Sequence, residues 1–200
     1  LRAGLLAAPV LLLGIVGTTH PMHLTPATAH HWFAMHLAGL FVVPLIGVAL
    51  AWLVRGRRDL VAVVAVVAAY VFATAYSALD VISGIGNGYV IDRLGVGTPR
   101  PTAVNLMFHI GTQLGDVGAW ALFAGAVLVG ADAVRRHGAG AAPPTLLLLA
   151  GSWFLRTQHI FPPLGVLSCV AIGVGTGWLA WIGRSSDVMV AGGAAPAPDR

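Results

Sequence analysis

All but one of the eight histidines in this chain gather at one end of a set of hydrophobic segments. They are His20, His23, His30, His31, His36, His109 and His159; arginines mark the opposite end, in Arg55-Gly56-Arg57-Arg58, Arg135-Arg136 and Arg184. Imidazole ligates metals and haem and exchanges protons near neutral pH, so this asymmetry points to where a site lies. Met22, Met35 and Met107 lie near the same end and add soft donors suited to Cu(I).

A second group of candidates is polar and lies inside the hydrophobic segments. An ionisable side chain at the centre of a membrane helix costs about 2.5–3.5 kcal/mol, and such residues normally face a bundle interior or a wet cavity. Asn105, His109, Thr112, Gln113, Asp116 and Trp120 recur every three or four residues. That spacing places them on one helical stripe, about 22 Å long at about 1.5 Å per residue. Thr74, Ser77 and Asp80 form a second stripe, with Tyr76 adjacent and Ser83 and Asn87 beyond it. Its hydroxyls have an ordinary use in bonding their own backbone. Asp80 and Asp116 need either a cationic partner or a proton. Arg156 is a candidate partner, although an arginine near a helix end also snorkels to the interface.

These residue types support several chemistries. His36 and His109, expected at similar depth on helices running the same way, are candidate axial ligands for haem b. Arg156 or Arg100 would then meet a propionate. With Asp80 or Asp116 the same histidines form a two-histidine, one-carboxylate set for Zn, Fe or Cu, although no HExxH motif is present. The alternative needs no cofactor at all: Asp116 or Asp80 as general acid, paired with His109. The pocket would then be lined by Asn105, Gln113, Trp120, Tyr76, Tyr70 and Phe108, and the substrate would be lipid-like or isoprenoid-like. A small proton-coupled transporter and a structural subunit of a membrane complex complete the range; either would bring a homodimer or a larger membrane partner.

The elements that must hold these residues can be read from composition. The 200 residues are 58% hydrophobic and 9% charged, with a mean hydropathy of +0.86. Soluble domains carry about 25% charged residues, so the chain reads as an all-α, polytopic membrane protein. A spanning helix needs about 20 apolar residues. Six spans are predicted, at roughly 2–19, 32–54, 60–83, 105–133, 144–161 and 164–183, forming one compact bundle over residues 1–184. Pro162-Pro163 divides the last two, and the glycines and prolines from Gly84 to Pro101 predict the longest loop. Residues 185–200 are rich in Ala, Gly and Pro and are expected to be disordered.

Positive-inside counting places the arginine end, and both termini, in the cytoplasm, with the histidine end outside a cell membrane. The first span resembles a signal peptide in length and flank. No small-x-small site comes after it, so it is expected to stay as a helix. The net charge of +4 is accounted for by topology, and no basic run interleaved with aromatics suggests nucleic acid. Membrane lipids and a small lipophilic ligand are the expected partners. Cys169, the single cysteine, sits in an apolar run and is expected to be buried.

Overall fold

The computed structural model describes residues 1–192, and the side chains of residues 1–183. Helices and the turns between them account for the described residues, with no strand among them. The helices are α1 (Arg2–Gly17), α2 (Ala29–Trp52), α3 (Leu60–Leu79), α4 (Asn87–Leu94), α5 (Thr102–His137), α6 (Ala142–Gln158) and α7 (Leu164–Gly192). Four stretches are long and apolar enough to cross a membrane: Ala29–Trp52, Leu60–Leu94, Thr102–Gln158 and Leu164–Gly183. Helix α1 is apolar but shorter. The part of the expected disordered tail from 185 to 192 belongs to α7, and 193–200 lie outside the described residues.

Helix starts and stops reflect local chemistry. The Asp59 carboxylate accepts from the Ala62 amide at 3.1 Å and caps α3. Gly138, at φ +73°, ends α5 and turns the chain into α6, a backbone conformation that glycine takes at little cost. The break at Pro162-Pro163 separates α6 from α7 where the sequence places it.

The region from Gly84 to Pro101 is largely helical, contrary to the long loop expected there. After α3 a wide π-type turn, Asp80–Gly86, leads directly into α4, which runs to Leu94. The glycines here permit packing and do not terminate the helix. A Cβ on Gly84 would lie 2.2 Å from Cδ2 of His36, and one on Gly88 would lie 2.9 Å from the Phe33 amide nitrogen. Bare backbone is what lets this segment sit against α2.

Small residues also decide which faces meet elsewhere. Helices α3 and α5 pack along Gly111, Gly115 and Gly118; a Cβ on Gly118 would stand 2.9 Å from the Tyr76 amide nitrogen. One continuous core joins Leu50, Phe72, Leu122, Leu148, Ile172 and Cys169, so the cysteine is buried as expected. Arg2, Arg55, Arg57 and Arg136 share one cavity, beside the C-terminal end of α2, while His20, His36 and His159 share another, beside its N-terminal half.

A candidate three-histidine metal centre

Three elements deliver one imidazole each to a common point. His20 comes just after α1, where Thr18 and Thr19 turn back to bond the Ile15 and Val16 carbonyls at 2.7 and 2.9 Å. His36 stands two turns into α2, against the bare backbone of Gly84. His159 closes α6 with φ +52° and ψ −139°. A non-glycine residue held there costs about 1–3 kcal/mol, and such strain clusters at functional sites.

One ring nitrogen from each of the three histidines lies within 4.8 Å of the other two. The His20 ring centroid is 5.2 Å from that of His36 and 5.8 Å from that of His159; those two rings are 6.2 Å apart. His20 and His36 are 4% and 6% exposed, and His159 is half-buried.

Each ring is held through Nδ1. His20 Nδ1–H donates to the Pro21 carbonyl at 2.8 Å, and His36 Nδ1–H donates to the Trp32 carbonyl at 2.7 Å. A carbonyl only accepts, so both neutral rings carry their lone pair on Nε2. His159 Nδ1 bonds the Tyr76 hydroxyl at 2.6 Å. Nε2 of His20 is buried and has no hydrogen-bond partner. Burial pushes the His20 imidazole down to about 4, against the opposing effect of its Pro21 bond, and His36 lowers it further. The ring is therefore neutral at pH 7 and its lone pair is free for a Lewis acid.

Asp80 and Tyr76 line the same small cavity, of about 20 Å³. Asp80 is 3% exposed, and it forms no hydrogen bond or ion pair within the described residues. Trp32 stacks on His36 at 5.1 Å and donates its indole N–H to the Ser83 carbonyl at 3.2 Å. Phe161 sits 4.5 Å from His20. A second cavity of about 220 Å³ adjoins the cluster, lined by His36, Tyr76, Ser83, Asp116, Arg156 and His159 among others.

The fold thus brings His36, Asp80 and Tyr76 together, puts Phe108, Asp116 and Arg156 on the adjoining cavity, and leaves Tyr70, Arg100, Asn105, His109, Gln113 and Trp120 off both walls. His109 is exposed and pairs with Gln113 at 3.2 Å, so the partners of His36 are His20 and His159. Asn105, Gln113, Asp116 and Trp120 are also exposed on α5. The stripe expected to line a pocket faces outward, because the glycine face of α5 takes the contact with α3. Only Thr112 and Asp116 of that stripe reach the wall of the larger cavity.

Arg156 bonds Asp116 at 3.4 Å and lies 4.7 Å over the Trp120 ring, with its Nε buried and unpartnered. Arg100 donates to the Leu24 carbonyl, away from the cluster. His23, His30 and His31 are exposed; His31 Nε2 bonds the Thr19 carbonyl at 3.0 Å.

His20 and His159 do not belong to the intramembrane polar groups, and reasoning confined to those passes them over. Their signal is positional: each sits in a helix break at the same end as His36. Comparison with known protein families, with curated proteins and with solved structures finds no match for this chain.

Proposed function

We propose that the chain is a multi-pass metalloprotein of the cell membrane that binds a divalent transition metal, Zn²⁺ foremost, through Nε2 of His20, His36 and His159. The observation that carries this is the convergence of three imidazoles, each held by its Nδ1, on one buried point. Zinc ligands are oriented through the nitrogen that does not bind metal. Zn–N bonds of about 2.0–2.1 Å set tetrahedral donors about 3.3 Å apart, so the nitrogens need to draw in by about 1.5 Å at most from the 4.8 Å limit. Asp80, unpaired on the same cavity, is a carboxyl group that a bound dication would favour in its ionised form. A porphyrin fits less well, because two axial imidazoles suffice for it and the third converging ring would have no place in its ligation.

Three protein ligands leave a fourth position, which is the arrangement of catalytic zinc. A bound metal would supply a Lewis acid and an activated water at neutral pH. Asp80 is then positioned to hold a proton. The adjoining cavity of about 220 Å³, with its aromatic wall and Arg156, suits an amphipathic, lipid-like substrate. The metalloprotein would cross the membrane six times, by α1, α2, α3 with α4, α5, α6 and α7. Gly138 would turn α5 into α6, and both termini would lie on the cytoplasmic side, as the arginine bias favours.

Elemental analysis of the purified full-length protein, with Co²⁺ absorption for coordination geometry, tests the metal. One equivalent of metal is expected, lost in His20→Ala, His36→Ala and His159→Ala and kept in His109→Ala. A folded wild-type protein that takes up neither Zn²⁺ nor Co²⁺ overturns the assignment, and a Soret band replaces it with haem.

A further inference from the structure

At the arginine end, α1, α2, α5 and α7 enclose a cavity of about 280 Å³. Its wall holds Arg2, Arg55, Arg57 and Arg136 and, among the described residues, no carboxylate. The four cations are not equivalent. Arg57 donates to both Asp59 and Asp132, and Arg136 donates to Asp132 at 2.7 Å. Arg2 and Arg55 form no ion pair with any described residue. Arg55 is held 4.9 Å over the ring of Trp52, which aims it without neutralising it.

Apart from His137 the remaining wall is mostly apolar, with Leu6, Leu53, Val129 and Leu179 among its residues. Fixed guanidinium groups favour a phosphate oxygen because their planar fork matches it. A phosphate alone would use the arginines and waste the hydrocarbon wall. A headgroup continuous with acyl chains would use both, and basic pockets between membrane helices suit anionic lipids.

We propose that this cavity is a binding site for the phosphate group of an anionic phospholipid, with Arg2 and Arg55 as the recognising cations. Arg57 and Arg136, tied by Asp132 and Asp59, form the rigid back of the site. The site is independent of the histidine centre and lies at the other end of the bundle.

The test uses the purified full-length chain in mixed micelles containing phosphatidylglycerol, or phosphatidylcholine, or phosphatidylcholine with inorganic phosphate. Native mass spectrometry reads retained lipid and a thermal melt reads protection. Each uncommitted cation near an anionic lipid is worth about a fivefold preference, so the Arg2→Gln/Arg55→Gln double variant should hold phosphatidylglycerol about 30-fold more weakly. Its melting point in phosphatidylcholine should match that of the parent, and Arg2→Lys/Arg55→Lys should recover part of the loss. Equal retention of phosphatidylcholine and phosphatidylglycerol overturns the proposal, as does full retention by the double variant. Protection by inorganic phosphate as strong as that by the lipid overturns the lipid assignment.

Discussion

Replacing Gly84 by alanine tests the metal centre without touching a ligand. The added Cβ would lie 2.2, 2.3 and 2.6 Å from Cδ2, Cγ and Cβ of His36. Carbon atoms rest at about 3.5–4.0 Å, so ring or backbone must yield by about 1.3–1.8 Å. The contact reaches the His36 Cβ, next to its own backbone, so a simple rotation of the ring does not relieve it. Overpacking of this kind costs about 1–3 kcal/mol. The metal is less tolerant, since ligand distances hold within about 0.2 Å, and affinity should fall by at least about 10–100-fold, the range for losing a supporting contact. The assay is a chelator-competition titration with Zn²⁺ on wild type, Gly84→Ala and Gly39→Ala. Gly39 lies in α2 on the wall of the same small cavity, and a Cβ there meets nothing within 4 Å. Gly39→Ala should bind as wild type does. Wild-type zinc affinity in a folded Gly84→Ala protein would refute the place given to His36.

Tyr76→Phe removes the 2.6 Å bond to His159 Nδ1 and should weaken Zn²⁺ about 10–100-fold with little change in the melt; unchanged affinity in the same titration would show that the hydroxyl orients nothing. Asp132→Ala leaves Arg57 and Arg136 without the carboxylate that joins them, and breaking a buried pair costs about 3–5 kcal/mol. Because its arginines are partly exposed, the lower figure is expected in chemical denaturation, and a loss under about 0.5 kcal/mol would count against the network. Zinc occupancy should fall as pH drops, because protons compete for the same imidazole lone pairs that hold the metal; equilibrium dialysis across pH 5–8 reads this, and a flat profile contradicts imidazole ligation.

Much of this architecture is legible in the sequence because it depends on composition along the chain. Long apolar runs, the Arg55–Arg58 cluster and Pro162-Pro163 mark where helices run and stop, and the split of histidine from arginine marks the two ends. Rotation about each helix axis is harder to read. Polarity suggests that Asn105, His109 and Asp116 point inward, whereas the fold gives the inner face to Gly111, Gly115 and Gly118. Close backbone approach over many atoms outweighs a few polar groups. The glycines of 84–88 mislead for the same reason, since they serve contact with α2 and not chain reversal. His36, Tyr76 and Asp80 are found from burial cost alone; His20 and His159 depend on how two helix breaks fold back over them.

The π-type turn at Asp80–Gly86 sets the rotational phase of α4 relative to α3. Such a turn holds one residue more than an α-helical turn would, and each residue of an α-helix advances the chain by about 100°. Excising a single residue there would restore regular winding and swing Asn87 and Ile91, both buried, out of their seats, while Tyr76 upstream stayed where it is. The extra residue acts as a phase shifter, letting one continuous rod present its polar groups to the cluster on one side and its seam to α2 and α5 on another.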